Sequence, residues 1–223
     1  GIVSVQKIIN ILLAIDNFNQ DTLNKLTPAI PYTEKDCTPL SEIYVDLSYQ
    51  RKLRIQAIIN RLHAAGKFDK EVAGHIDIAI RTDNRKFVWD GFHRCIKAGL
   101  ARLTEIPSSD YIHDKSLSDH QQRMKEARMF KVRNADQTKM EPGEIFKSEV
   151  VFQDPIALEI LDLLKRSKVS VEGTNSDEDA YDLGGFRTFR KVWNQINSAY
   201  WIDASDIIRH AWPQDKNMSV ILW

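Results

Sequence analysis

Cysteine is scarce: the 223 residues hold two, Cys37 and Cys95, too few for a disulfide framework or a zinc cluster. A reducing, cytoplasmic compartment is the default expectation for such a chain. Charge of one sign is lacking as well, since 31 Lys and Arg balance 31 Asp and Glu. That balance excludes a polybasic protein that coats nucleic acid through its overall charge, so any contact with phosphate must come from a local patch. Long apolar runs are also missing. The longest, Ile8 to Ile15, is well short of the ~20 residues that cross a bilayer. It has neither the basic start nor the small-residue cleavage site of a signal peptide, and no membrane partner is expected. Gly1, standing where an initiator Met would be, reads as a tag remnant. With 43% hydrophobic and 28% charged residues, disorder and collagen-like order are excluded.

What remains is enough for one good-sized domain or two small ones. Ile8, Ile9, Leu12 and Leu13 repeat at helical spacing, and Asp16-Asn17 closes that run. From there to Pro39 the chain is polar and holds Pro28 and Pro31, so residues 1–41 read as a helix and an extended arm. Glu42 to Leu47 has strand propensity. Ile55, Ile58, Ile59 and Leu62 share a helix face, with Gly66 as its stop. Ile76, Ile78 and Ile80 alternate with polar neighbours, Asp83-Asn84 makes a turn, and Lys86 to Trp89 alternates again. The chain then passes through Asp90-Gly91 straight into a helical pattern of Phe92, Cys95, Ile96, Leu100 and Leu103.

Beyond Ile106-Pro107 helical patterns dominate. Candidate helices run over 117–134, from Pro142, and from Asp154-Pro155 with the aspartate as N-cap. Residues 167–185 read mostly as a loop. Phe189, Val192, Trp193, Ile196 and Tyr200 mark a fourth helix, and Asp203 opens a fifth. The expected class is α+β: a small mixed sheet with helices over 42–108, then an all-helical domain over 109–223.

The segment with chemistry in it is Trp89-Asp90-Gly91-Phe92-His93-Arg94-Cys95. A glycine at a strand end permits a sharp turn and leaves room for a bound group. The helix beginning there offers unpaired N–H groups and the positive end of its dipole. His93 and Arg94 add side-chain donors, and together these would hold an anion such as phosphate. Asp90 is a candidate to orient His93 or Arg94, to hold a metal, or to act as a catalytic base. The competing reading is a plain structural turn, with Arg94 paired to a surface carboxylate.

Residues 43–107 resemble the N-terminal domain of ParB-type partition proteins and the related sulfiredoxin and free-serine-kinase folds. Tyr49-Gln50-Arg51, between a strand and a helix, is similar to the first ParB box. Asp90-Gly91-Phe92-His93-Arg94, followed by Lys97-Ala98-Gly99-Leu100, resembles the Gly-x-x-Arg phosphate box, in the spelling of serine-kinase and phage-borne ParB-like proteins. The resemblance implies that Gly91, Phe92, His93 and Arg94, with Gln50 and Arg51 nearby, bind the phosphates of a nucleoside di- or triphosphate with magnesium. It also implies a phage or mobile-element setting. The helical half, with Phe130 to Asn134 and a final Ala211-Trp212, resembles the extension of such proteins.

Departures narrow this. Phe92 stands where sulfiredoxins carry their nucleophilic cysteine, which excludes that chemistry. Cys95 reads as a small core residue. Arg133-Asn134 replaces the Glu-Asn of the third ParB box, which weakens metal-assisted hydrolysis. Arg187, Arg190, Lys191 and Asn194 form a basic helix face that reads as solvated, with DNA phosphate as the alternative. Trp193, Trp201, Trp212 and Trp223 could offer rings for base stacking, but Trp193 falls on an apolar face and reads as core. Trp223 has no assigned role, and the histidines lack metal-ligand spacing. Glu42 and Asp46 are further candidate bases. Three functions stay open: a nucleotide-binding regulator or partition-like adaptor that holds a nucleotide or a phosphate of DNA at the turn, a phosphotransferase or nuclease using Asp90 or an N-terminal carboxylate as base, and a non-enzymatic homodimeric scaffold or DNA-binding adaptor.

Overall fold

The computed structural model describes residues 1–15, 17–135, 141–213 and 216–219. The chain divides into two compact units, Gly1–Arg133 and Asn134–Trp223. Both are mixed α+β. Neither of the boundaries expected from sequence, at 41 and at 108, separates the units. Trp223 and Asp16 lie outside the described residues.

Unit 1 is built on a six-stranded sheet. Its strands are β1 (Ile2–Ser4), β2 (Cys37–Pro39), β3 (Ile43–Asp46), β4 (Ile76–Ile80), β5 (Lys86–Asp90) and β6 (Glu105–Ile112), in the order β1-β3-β5-β4-β6-β2. β3–β5 and β4–β6 are parallel pairs and the other three are antiparallel. The N-terminal segment therefore supplies both edge strands. Its polar stretch also contains a helix, α2 (Asn17–Asn24), after α1 (Val5–Ile15). β6 runs straight through Ile106-Pro107, where the sequence suggested that the sheet ends. Pro107 is tolerated because it faces the short edge strand, opposite Cys37.

Period-2 alternation gives the sheet two unlike faces. Ile43, Val45, Ile76, Ile78 and Val88 point into an apolar cluster shared with α1, α3 (Ile55–Ala65) and α5 (Phe92–Leu100). Gly66 ends α3 in the left-handed conformation at φ +68°, as its position in the sequence implied. Asp46, Arg81 and Phe87 belong to the other face, which α6 (Asp119–Ala135) covers with polar groups. Glu126 of α6 accepts from Arg81 at 2.9 and 2.6 Å, from the Tyr49 hydroxyl at 2.9 Å, and pairs with His113 at 3.0 Å. Asp46 accepts from Arg81 and from Arg123, both at 3.1 Å. Arg81 also lies 3.6 Å from the centroid of the Phe87 ring. The layer is balanced, two carboxylates against two guanidiniums. Such a layer specifies how a helix seats more than it adds stability, because Asp46, Glu126 and Arg81 were desolvated to enter it while Arg123 stays partly in water.

Unit 2 is not all-helical, contrary to the sequence-based expectation. Around α7 (Pro142–Val151), α8 (Pro155–Arg166), α9 (Phe186–Lys191) and α10 (Ser198–Ala211) it carries a parallel three-stranded sheet, β7 (Val169–Ser170), β8 (Tyr181–Gly184) and β9 (Asn217–Ser219). Two of those strands fall in the stretch that read as a loop. The core is aromatic: the Phe189 ring lies 4.7 Å from Trp201 and 5.8 Å from Trp193, and Phe146 lies 4.8 Å from Phe186. Asp154 caps α8 by accepting from the Ala157 N–H at 3.0 Å, as expected. α10 begins earlier than expected, capped by Asn197, so Asp203 sits inside the helix and does not open it. No helix among the described residues is long and apolar enough to cross a membrane.

Candidate functional site

The turn between β5 and α5 is built as its sequence suggests. Gly91 is the N-cap of α5, at φ +95°, and no side chain caps the helix. The Cys95 N–H returns to the Gly91 carbonyl at 3.0 Å, so the N–H groups of Phe92, His93 and Arg94 have no acceptor within the helix. The need for glycine has a different cause from the one first inferred. A Cβ here would lie 2.6 Å from Ile76 Cγ2 and 3.0 Å from Ile76 Cβ, so it is the sheet, not a ligand, that excludes a side chain.

A second helix start meets the first. The backbone N–H of Arg54, the N-cap of α3, donates to His93 Nε2 at 3.4 Å, and α3 likewise has no side-chain cap. His93 is therefore an acceptor at Nε2, which is the neutral imidazole. Burial is the main cause that pushes its pKa down to about 4, followed by the positive charges of Arg51, Arg54, Lys97 and Arg61. The Lys97 ammonium is lowered too, first by burial and then by Arg61 and Arg94. Two uncapped helix starts thus meet at a histidine on which four cations act, where negative charge would be stabilised twice over.

The residues expected at the site divide into two groups. Arg51 and His93 belong to this basic cluster, and the Gly91-Phe92 turn supplies its amides. Gln50 does not point at a ligand. It is buried, and its amide nitrogen donates to the carbonyls of Val88 and Trp89, at 2.9 and 3.1 Å, on the strand that leads into the turn. Tyr49 is buried beside it with its hydroxyl on Glu126. Gln50 thus ties the loop that carries Arg51 and Arg54 to the strand end, and Tyr49 ties it to α6. Phe92 is buried in the apolar cluster, and only its amide is available to an anion.

Arg94 and Asp90 are given to one another. The Arg94 guanidinium donates to the Ala73 carbonyl at 3.1 Å, to the His75 carbonyl, and to Asp90 at 3.3 Å. Its side chain holds the loop before β4 in place, so the backbone N–H is its contribution to an anion. Asp90 owes its position to a β-bulge. Ile78 pairs with Val88 but Asp77 pairs with Asp90, so Trp89 is the extra residue. Asp77 and Asp90 are thereby set side by side under Arg133, at 3.2 and 3.9 Å. Burial raises the Asp77 carboxyl, with Asp90 adding to the rise and Arg133 opposing it. With Arg94 and Arg133 both engaging it, Asp90 is an anchor, poorly placed to take a proton from a nucleophile.

Magnesium carried by a phosphate would find no unengaged carboxylate at Asp77 or Asp90. No group of three or more potential ligands that could hold a metal occurs among the described residues. Asp46 and Glu42, the other candidate bases, lie in the α6-facing ionic layer and in a 2.7 Å pair with Lys86. Cys95 is fully buried and its thiol is pushed up to about 12, as befits a core residue. In unit 2, Arg187 and Arg190 pair with Glu141 at 3.7 Å and Glu149 at 3.3 Å.

Sequence reasoning missed Arg54 and Arg61, and it valued Lys97 only as part of a motif. A signal was present: residues 47–68 and 91–104 contain eight Lys and Arg and not one Asp or Glu. No protein-family model matches the chain, and no curated protein or solved structure matches it either.

Proposed function

We propose that unit 1 is a ParB- and sulfiredoxin-like phosphate-binding domain that holds a nucleotide phosphate where the first turns of α3 and α5 meet. The observation carrying this reading is the Arg54 N–H on His93 Nε2, an imidazole on which the charges of Arg51, Arg61 and Lys97 also act. It joins two sets of orphan amides and surrounds them with cations, the combination that binds oxyanions at helix starts. The Gly-x-x-Arg turn supports the family reading through its backbone.

The test is a thermal-shift series with ATP, CTP and ADP, with and without magnesium. A ligand that binds only the folded form at 100 times its Kd adds about 2.7 kcal/mol and must raise the melting temperature. Arg51→Ala combined with Lys97→Ala is expected to abolish the shift. Absence of a shift with all three nucleotides defeats the reading, and a shift that survives the double substitution places the ligand elsewhere.

A further inference from the structure

We infer that the free edge of β6, from Ser109 to Ile112, is a docking site for an extended peptide strand that places a basic residue opposite Asp110 and an apolar one opposite Ile112. This interaction surface stands apart from the phosphate reading, which its failure would leave untouched.

The edge arises because the two neighbours of β6 differ in reach. β4 pairs with it from Ser108 to Ile112, whereas β2 pairs with it only from Glu105 to Pro107. One further bond, from the Ser108 N–H to the Asp36 carbonyl at 2.9 Å, ends the β2 side, where Lys35 and Asp36 form a turn. On the other side the His113 N–H donates to the Ile80 carbonyl of β4 at 3.0 Å. Backbone groups alternate in direction along a strand, so the N–H and C=O groups of Asp110 and Ile112 point away from β4, as the Ser108 N–H does. No strand among the described residues meets them there. Ser109, Asp110 and Ile112 are exposed, Ile112 to 71%.

Open edges are ordinarily blunted by proline, a bulge or several charges, because they pair with any strand that reaches them. Residues 109–112 hold no proline, and their pairing with β4 has no bulge. Their single charge, Asp110, decides the partner. Its carboxylate accepts from the Ser108 hydroxyl at 3.1 Å, which in turn lies 2.7 Å from the Thr38 hydroxyl on β2. The charges just beyond the two ends do not reverse its sign: Lys35 and Asp36 cancel, Asp114 and Lys115 cancel, and Glu34 adds to it. Lys125 lies over the Tyr111 ring at 5.0 Å, on the opposite face of the strand. A second copy joined edge to edge about Asp110 would set that carboxylate against its own image, which disfavours a symmetric pair. A strand that continues the line of β2 is antiparallel to β6, so its residue opposite Ile112 comes two before the one opposite Asp110. The partner therefore reads apolar-x-basic, with main-chain bonds giving affinity and the two side chains giving choice.

The experiment is an amide NMR titration of the whole protein with acetyl-TVTKT-amide, alongside acetyl-TVTET-amide and the reversed acetyl-TKTVT-amide. A strand this short is expected to bind with a Kd of ~1 mM. The first peptide should shift the Asp110 and Ile112 amides and protect them from hydrogen exchange, while those of Ser109 and Tyr111, already turned to β4, stay as they were. The other two peptides should bind about fivefold more weakly. Asp110→Lys should reverse the order of the lysine and glutamate peptides, and Ile112→Thr should weaken both. Should circular dichroism show that the charge reversal disturbs the fold, Asp110→Asn takes its place and should abolish the preference between those two. No response of Asp110 and Ile112 at ~5 mM peptide overturns the inference, as does equal binding of all three peptides or a response without the alternation. Protection that appears on concentrating the protein alone assigns the edge to a second copy and overturns it too.

Discussion

Gly91 and Gly185 occupy the same position in two units that otherwise share little. Each follows a strand, adopts a left-handed conformation (φ +95° and +78°), and leads into a helix whose first residue is a buried phenylalanine, Phe92 or Phe186. What surrounds them differs. Behind the first turn the sheet carries a layer of buried ions under α6, and several cations act together on His93. Behind the second lies an aromatic cluster, and the arginines of α9 are answered by Glu141 and Glu149. α9 is also only six residues long. The turn itself is a way to leave a strand for a helix. Chemistry is added by neighbours that come from other parts of the chain.

The largest contrast is expected in what holds each unit together. Glu126→Gln should cost about 3 kcal/mol by leaving Arg81 to Asp46 alone, and Phe189→Ala should cost about 3–5 kcal/mol through lost packing. Urea unfolding at pH 7 measures both, and acid separates them. Asp46 and Glu126 are held below their usual 3.8 and 4.5 by hydrogen bonds from Ser48, Arg81, His113 and Tyr49, against the opposing effect of burial. The stability they contribute is complete above the unfolded values and lost as pH falls through the folded ones. Asp77, whose carboxyl is raised, acts with the opposite sign. Unit 1 should therefore unfold in acid before unit 2, and the reverse order would contradict the ionic-layer account.

The glycines themselves come next. Gly91→Ala combines a positive φ with a clash against Ile76 and should cost about 3 kcal/mol. Gly185→Ala is charged here only for its backbone, about 1 kcal/mol. Equal losses on urea unfolding would mean that Ile76 yields to the added methyl. Smaller still is the arginine pair. Arg94→Ala gives up three hydrogen bonds and should cost about 2 kcal/mol, whereas Arg187→Ala, an exposed pair at 3.7 Å, should cost under ~0.5. If Arg94→Ala proved neutral for stability yet abolished nucleotide binding, its guanidinium would be a ligand after all.

The finest distinction is a titration with no counterpart at the second turn. His93 is lowered from 6.5 to about 4, so the unfolded chain takes up the proton first. The associated stability is intact above pH 6.5 and drains away as pH falls toward 4. Removing a neighbouring charge with Lys97→Met should move the His93 imidazole back up toward 6.5, read by NMR chemical shift. A bound polyanion should move it the same way. An imidazole unmoved by either would detach it from the cation cluster.

Local rules recover many elements. The apolar spacing of Ile58, Ile59 and Leu62 and the stop at Gly66 define α3, and Asp154-Pro155 starts α8. β6 was hidden because Pro107 and the polar Ser108-Ser109-Asp110 resemble a loop. The strand is stabilised by neighbours on both sides, β4 and β2. The helix expected through Phe189 to Tyr200 is interrupted because Asn197 caps a new one, accepting from Ala199 and Tyr200. In the site, the amide turn at Gly91 was legible. The fates of Gln50 and Arg94 were not, since a side chain's donors look alike in sequence whether they serve a ligand or a carbonyl.

By itself, then, the sequence determined the α+β character, the strand–glycine–helix turn and the helix starts that furnish its amides, because spacing and caps act within a few residues. Tertiary structure alone decided which polar groups were spent. Tyr49 finds Glu126 across 77 positions, Gln50 finds Val88 across 38, and a one-residue bulge at Trp89 turns Asp90 toward Arg133. A buried donor must have an acceptor, and packing, not local pattern, chooses which one it receives.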